Sequence, residues 1–245
     1  MMMFAFLQPV FADSTNSWVP GVTLSSVVGQ NYLAFSSGAN LYNKAVSQTD
    51  LLLSFPGDFN VDLWTSSPFE SKHYNKKCDY STEFDIGVSK SIKISDWTLD
   101  VGVTLFDEPK LMTLDAEDIL YSHIKLAYPI VGGASLYASY ENLISLRGAG
   151  QGEEDLFAIG ISAKSAFGGK GTQGERLTIG ESFDIVYDGG GFGGDCGYLI
   201  RGSLELGWKL TEKLSVMLPL RYYVPLTVGK DRLDWMITAG FSYAF

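Results

Sequence analysis

The sequence predicts an all-β protein: a single transmembrane, antiparallel, up-and-down β-barrel of about twelve strands. Two observations predict this class. Bulky apolar residues alternate with small or polar residues along many short segments, as in strands that face lipid on one side and a lumen on the other. The links between these segments are short and long in turn, which is typical of a barrel with short turns at one rim and long loops at the other.

The alternation is clearest in the last segment, residues 234–245. One parity carries mostly bulky residues, namely Trp235, Ile237, Ala239, Phe241, Tyr243 and Phe245, and the other carries Met236, Thr238, Gly240, Ser242 and Ala244. A period of two indicates a strand. A strand of this kind that carries Phe241 and ends on Phe245 resembles the closing strand of a bacterial outer-membrane barrel. The alternative fold is a soluble exported β-sandwich, in which the bulky face turns into a core.

Period-two segments between turn residues predict the individual strands. The predicted spans are 18–30, 46–55, 59–66, 80–92, 97–106, 118–128, 134–143, 155–163, 176–187, 198–209, 214–224 and 234–245. Most are close to the roughly 9–11 residues with which a tilted strand crosses a bilayer. One residue conflicts with the pattern, because Glu181 falls on the apolar parity of its strand. A β-bulge or a position close to the membrane interface would remove that conflict.

The links between these strands alternate in length. Tight links are predicted at residues 55–58, 94–96, 129–133, 167–171 and 210–213, and longer ones at 36–45, 67–79, 107–117, 144–154, 188–197 and 225–233. Strict alternation places both chain ends at the rim with the short turns, and it gives an even number of strands.

Composition excludes several classes of protein. The mean hydropathy is +0.08, and no apolar run approaches the roughly 18 residues of a membrane helix. The net charge of −10 argues against nucleic acid as a partner, because phosphate binding needs clustered Lys and Arg. No cofactor is expected.

The first residues have the character of an export signal. Residues 1–12 are mostly apolar and end at Val10-Phe11-Ala12, which resembles a small-x-small cleavage site. The stretch is short and lacks a basic start, so the true signal is expected to begin further upstream. The predicted organisation is therefore a signal peptide at 1–12 and a barrel over 13–245.

The polar parity of the strands supplies candidates for the lumen wall. These are Glu83, Asp85, Asp100, Lys125, Glu141, Asp184, Arg201, Glu205 and Arg221. Opposed acids and bases could set ion selectivity in a water-filled pore, or they could pair and fill a narrow barrel. The acidic excess favours a lumen that prefers cations weakly.

Aromatic residues near strand ends predict interfacial girdles. The candidates are Trp18, Trp97, Trp208, Trp235 and Tyr243. Trp64 shares its parity with Asp62 and is expected to face the lumen instead.

Cysteine and histidine are sparse. Cys78 and Cys196 fall in long loops of the same predicted rim, where an oxidising compartment would let them pair; two free thiols are the alternative. Neither His73 nor His123 has a ligand-spaced partner, so no metal site is predicted. Ser122 and His123 are adjacent in one strand and point to opposite faces, which prevents a catalytic dyad.

One hairpin resembles a known group of proteins. Gln48-Thr49-Asp50-Leu51, Pro56-Gly57-Asp58-Phe59 and Val61-Asp62-Leu63-Trp64 together resemble the paired "QTDL…GFYVDLW" hairpin of bacterial porin and outer-membrane β-barrel families whose substrates are not known. The chain departs from that pattern at Asp58-Phe59-Asn60. The resemblance implies a barrel in the outer membrane.

The sequence thus predicts an outer-membrane, porin-like channel, without enzymatic activity, for passive diffusion of small polar solutes or ions. Its expected partners are outer-membrane lipid, the barrel-assembly machinery through the C-terminal strand, and the solutes. The alternatives are a non-conducting barrel that binds a partner through its extracellular loops and, third, a lipid hydrolase of the outer membrane.

Overall fold

The structure, a computed structural model, describes residues 20–33, 40–69, 82–107, 118–146, 153–168, 176–190, 196–227 and 234–245. Within these ranges the chain forms twelve strands: β1 (Gly21–Leu33), β2 (Asn40–Phe55), β3 (Phe59–Pro68), β4 (Glu83–Ile94), β5 (Trp97–Asp107), β6 (Ile119–Pro129), β7 (Ala134–Ser145), β8 (Glu154–Phe167), β9 (Leu177–Asp188), β10 (Gly197–Lys209), β11 (Leu214–Pro225) and β12 (Asp234–Ala244). A 3-10 helix, Val131–Gly133, lies between β6 and β7. No helix in the described ranges is long and apolar enough to cross a membrane.

The strands close into one antiparallel barrel. Each strand pairs with its neighbours in sequence, and β1 pairs with β12, where Thr23 lies opposite Ala244. The N–H of Phe245 also donates to the carbonyl of Val22, at 2.9 Å. Closure leaves no unpaired strand edge, which is what a sheet in lipid requires. The predicted up-and-down barrel of twelve strands is confirmed.

The closing strand shows which parity faces outward. Trp235 and Phe241 are each 44% exposed, whereas Met236 and Thr238 on the other parity are each 3% exposed. The same contrast recurs around the barrel, where large apolar side chains on the outer face are exposed. Examples are Val88, Val103, Ile124, Leu136, Phe157, Ile159, Ile161, Phe183, Ile185, Val216 and Leu218. A soluble sandwich would bury this face, so the outward apolar belt excludes the alternative fold.

Short turns lie at the rim that carries both ends of the barrel. They comprise residues 56–58, 95–96, 130–133 and 210–213. In the first of these, Gly57 and Asp58 have φ of 83° and 57°, values that glycine and aspartate tolerate better than most residues. The predicted alternation of short and long connections is confirmed at these positions.

Two predicted links differ from the structure. The tight link expected at 167–171 spans 168–176, because β8 and β9 stay paired out to Phe167 and Leu177. The long link expected at 36–45 is shorter, because β2 already begins at Asn40. The start of β2, Asn40-Leu41-Tyr42-Asn43-Lys44, does not alternate between apolar and polar residues, so the period-two pattern gives no strand signal there.

Glu181 lies on the outer face of the barrel. The register of β9 with both of its neighbours runs without a shift, with Glu181 opposite Ala163 and Leu204. A β-bulge therefore does not explain its parity. Its position four residues after Leu177, toward the short-turn rim, leaves proximity to the interface as the remaining explanation.

Candidate functional site in the barrel lumen

All the predicted lumen candidates lie on the inward parity of their strands. Glu83, Asp85, Glu141, Asp184, Arg201 and Arg221 are buried, and Asp100, Lys125 and Glu205 are half-buried. Such burial of charged side chains in a barrel of this size means that they fill much of the lumen. That these residues determine ion selectivity stays a prediction.

The best-defined group in the lumen surrounds Arg201, and we call it the Arg201 cluster: Arg201, Glu141, Asp184, Tyr137 and Lys125. The guanidinium makes paired contacts with Glu141, with Nη1 to Oε2 at 3.2 Å and Nη2 to Oε1 at 2.8 Å. It also contacts Asp184, with Nε to Oδ1 at 3.1 Å and Nη2 to Oδ2 at 2.9 Å. Paired contacts of this kind are the strongest that a guanidinium makes with carboxylates. The positive charge of Arg201 is therefore held by two acids of the wall.

The Arg201 cluster crosses several strands. Asp184 on β9 is the direct neighbour of Arg201 on β10, but Glu141 lies on β7, beyond β8 and β9. The hydroxyl of Tyr137 on β7 donates to Oδ2 of Asp184 at 2.8 Å. Its ring passes over Gly160 of β8, where an added Cβ would lie 2.7 Å from Cζ of Tyr137. Because Gly160 has no side chain, the ring of Tyr137 can cross β8 and reach Asp184.

Lys125 connects the Arg201 cluster to the next part of the wall. Its Nζ lies 3.9 Å from the centre of the Tyr137 ring, a distance suited to a cation–π contact. Its Cα partner on β5 is Asp100, which accepts a hydrogen bond from Oγ of Ser91. The wall from β4 to β10 is thus lined by hydrogen-bonded and charge-paired side chains.

An apolar cluster lies inside the lumen, next to the Arg201 cluster and on the side of the rim with the long loops. It contains Leu143, Leu156, Ala158, Val186, Leu199, Tyr223 and Met236, with Phe106, Ile119 and Tyr121 packed against it. All of these residues have the inward parity, so this part of the lumen is a packed core. The apolar cluster narrows the path on the β7–β12 side of the barrel.

An acidic wall, of which only Glu83 and Asp85 were predicted from the sequence, covers β2, β3 and β4. It consists of Asp50, Asp62, Glu83 and Asp85, all buried. The sequence predicted Trp64, and not Asp50 or Asp62, as the lumen residue of this hairpin. Their shared parity with Trp64, which is 1% exposed and faces the lumen as expected, was the signal that could have placed them there.

The remaining predicted residues are placed as follows. Trp97, Trp208 and Trp235 are exposed on the outer face near strand ends, Tyr243 is half-buried there, and Trp18 lies outside the described residues. Cys196 is exposed and forms no disulfide within the described residues, and its Sγ donates to the carbonyl of Gly189 at 2.9 Å. Cys78 and His73 lie outside the described residues, as do residues 1–12, so the disulfide and the signal peptide stay predictions.

His123 is buried on the lumen face, and Ser122 points to the other face, as the strand parity predicted. A Cβ on Gly102 would collide with the His123 ring, so the ring lies over this glycine. In the described ranges no group of three or more His, Cys, Asp or Glu side chains is arranged to hold a metal ion.

Solved structures share this architecture. The NanC porin aligns with a TM-score of 0.55 at 9% identity, over 89% of this chain and 98% of that one. The KdgM porin, solved in complex with oligogalacturonate, aligns with a TM-score of 0.53 at 12% identity, over 93% and 99%. An outer membrane channel from Pseudomonas putida F1 gives 0.53 at 8% identity, over 96% and 100%. No protein-family model and no curated protein matches the chain.

At these identities the likeness shows the fold alone. The fold is that of outer-membrane porins and channels, which confirms the barrel that the sequence predicted and gives the porin-like resemblance a structural basis.

Proposed function

We propose that the protein is an outer-membrane channel through which small polar solutes and ions diffuse, with a weak preference for cations. The observation that carries the proposal is the division of the barrel into an outward apolar belt and an inward charged lumen. A soluble protein would not expose such an apolar belt, and the inward acids supply the carboxylates that a path for cations requires.

The cation preference is supported by the distribution of charge inside the barrel. The acidic wall of β2, β3 and β4 lies across the barrel from β8, β9 and β10, where Arg201 is already held by Glu141 and Asp184. A permeating ion therefore meets carboxylates on one side and a largely neutralised cluster on the other. Rings or patches of carboxylates favour cations in pores.

The path is narrow. The apolar cluster and the Arg201 cluster fill the β7–β12 side, and the acidic wall residues are themselves buried. We therefore expect a low conductance.

The remaining parts of the proposal concern location and partners. The apolar belt would contact outer-membrane lipid, and the C-terminal strand ending on Phe245 would be recognised by the barrel-assembly machinery. Export would use residues 1–12 as the end of a signal peptide, which N-terminal sequencing of the membrane-inserted protein would test through a start at Asp13.

Conductance of the refolded chain in planar lipid bilayers tests the channel. Discrete current steps of small amplitude, with a reversal potential shifted toward the cation equilibrium value in a salt gradient, are the expected result. Stable insertion without any current steps would contradict the proposal.

A non-conducting barrel that binds a partner through its loops is the second candidate, and the close packing of the apolar cluster favours it. This candidate predicts no current, and a cell-surface function that is lost when the loops of the long-loop rim are shortened. A lipid hydrolase is less favoured, because His123 is buried in the lumen with Ser122 on the other face. It requires lipid cleavage that disappears in His123→Ala.

A further inference from the structure

We propose that the outer face of β7–β10, at the rim with the long loops, binds phosphatidylethanolamine, a lipid whose headgroup joins a primary ammonium to a phosphate. The inference rests on the membrane location of the proposed channel and names a lipid that the barrel selects. It does not depend on conduction. The site consists of a row of aromatic rings and a carboxylate fixed beside it.

Four aromatic residues form one row across four strands. Tyr140 of β7 lies opposite Phe157 of β8, with 4.9 Å between the ring centres. Phe157 lies opposite Tyr187 of β9, and Tyr187 lies opposite Tyr198 of β10, with 5.2 Å between the two tyrosine rings. All four have the outward parity of their strands, and Phe157 is 52% exposed. We call these four residues the aromatic row.

The carboxylate of Asp155 is held in a fixed position next to the aromatic row. Asp155 lies two residues before Phe157 on the same face of β8, toward the long-loop rim. Its Oδ1 accepts hydrogen bonds from the hydroxyl of Tyr140 at 2.6 Å and from Nδ2 of Asn142 at 2.8 Å. Its Oδ2 has no partner in the described part of the chain. An oriented carboxylate of this kind is suited to charge-assisted hydrogen bonds with a cationic donor.

The charges around the aromatic row favour a cation. Glu153, directly before β8, adds a second carboxylate, which is exposed. No Lys or Arg is found among the described outward side chains of β7–β10, so a purely anionic headgroup meets no base there. An ammonium is also attracted to the faces of aromatic rings, and the rings of Tyr140 and Phe157 are next to Asp155. We therefore place the ammonium of the headgroup at Asp155.

The other end of the aromatic row suits the phosphate. The hydroxyls of Tyr187 and Tyr198 form no hydrogen bond within the described residues, and a phenolic O–H can donate to a phosphate oxygen. Toward the short-turn rim the same face continues with apolar side chains, such as Ile159 and Ile185, which are 74% and 48% exposed. The surface thus offers an acceptor for the ammonium, donors for the phosphate and an apolar area for the acyl chains.

Native mass spectrometry of the refolded barrel tests the site, with phosphatidylethanolamine and phosphatidylglycerol of the same acyl chains offered in equal amounts. The wild type should retain phosphatidylethanolamine in preference to phosphatidylglycerol, which has a phosphate but no ammonium. Asp155→Asn keeps the size of the side chain and removes its charge. It should lower the retention of phosphatidylethanolamine about tenfold, as expected for the loss of one hydrogen bond between charged groups, and leave that of phosphatidylglycerol unchanged.

Glu181→Gln is the matched control, because it removes one negative charge from the outer face of β9 away from the aromatic row. It should retain both lipids as the wild type does. Tyr187→Phe separates the two ends of the site, since the loss of a donor to the phosphate should weaken the binding of both lipids to a similar extent. Heat-modified migration on gels checks that each variant is folded.

Equal retention of the two lipids by the wild type, or an unchanged preference in folded Asp155→Asn, would overturn the proposal. Lipopolysaccharide, added as a competitor, covers the other lipid that an outer membrane offers. If it displaces phosphatidylethanolamine equally well from the wild type and from Asp155→Asn, the aromatic row is a general lipid contact and the site is refuted.

Bilayer currents separate the site from the channel. Current steps from a barrel that shows no lipid preference would refute the site and leave the channel standing. A preference that is lost in Asp155→Asn, in a barrel that inserts but passes no current, would support the site and refute the channel.

Discussion

Tyr137 of β7 and Asp184 of β9 are joined by a hydrogen bond of 2.8 Å although β8 lies between their strands. The bond spans the sheet because Gly160 of β8 has no side chain to block the ring. It holds Asp184 in the position where Arg201 also contacts it. A single glycine on the inward face thus sets the geometry of the lumen wall across four strands.

Gly160→Ala should therefore destabilise the barrel and break the bond between Tyr137 and Asp184. The new Cβ would lie 2.6 Å from Cβ of Asp184 and 2.7 Å from Cζ of Tyr137, closer than real contacts allow. We expect a loss of about 1–3 kcal/mol in the free energy of unfolding, measured by urea titration in lipid vesicles.

Gly180→Ala is the matched control, because Gly180, like Gly160, faces the lumen, but it lies on β9, where an added Cβ would be 3.8 Å from Cβ of Glu205. This variant should unfold like the wild type. Equal stability of Gly160→Ala and Gly180→Ala would show that the ring of Tyr137 does not depend on the gap at Gly160.

Arg201→Met should be among the most damaging substitutions in the lumen. It leaves Glu141 and Asp184 buried without their cation, and breaking a buried pair from one side typically costs about 3–5 kcal/mol. The loss should appear as a lower urea midpoint in vesicles. Arg176→Met, just before β9 at the short-turn rim, should have little effect.

Restoring charge balance should recover much of this loss. In the triple variant with Glu141→Gln, Asp184→Asn and Arg201→Met, no buried charge of the Arg201–Glu141–Asp184 group remains uncompensated, and most of the stability of the wild type should return. If the triple variant is no more stable than Arg201→Met alone, the uncompensated carboxylates are not the cause of the damage.

The sequence specifies the strands and the face of each residue, but not how far a side chain reaches inside the barrel. Alternation in β12 and β10 was enough to place Phe241 outward and Arg201 inward. It could not pair Arg201 with Glu141, because the contact crosses two intervening strands, β8 and β9. Asp50 and Asp62 were not predicted as lumen residues, because three consecutive leucines in β2 and the tryptophan at position 64 in β3 interrupt the alternation of their strands.

Ion selectivity should depend on the inward acids. Neutralising Asp85, Asp100 or Glu205 to the corresponding amide should lower the permeability ratio of K⁺ to Cl⁻, by roughly twofold for each, because a carboxylate along the path attracts cations. Arg221→Gln should raise the ratio. The reversal potential in a salt gradient measures the change, which should shrink at about 1 M salt, where the Debye length is about 3 Å.

Glu181→Gln is the control for selectivity, because Glu181 carries the same charge on the outer face of β9. It should leave the reversal potential unchanged. A shift as large as that of Glu205→Gln would mean that total charge, and not its position in the lumen, determines selectivity.

The exposed apolar belt leads to a prediction about membrane insertion. Ile159, 74% exposed on the outer face in the middle of β8, should lie within the hydrocarbon layer, so Ile159→Lys should destabilise the inserted barrel by about 2–4 kcal/mol. Val131 is 87% exposed but lies in the turn between β6 and β7, where Val131→Lys should cost close to nothing because that turn would meet water. Urea unfolding of both variants in vesicles measures the difference. Equal costs at the two positions would mean that the exposed face of β8 does not lie in lipid, and the transmembrane assignment would then fail.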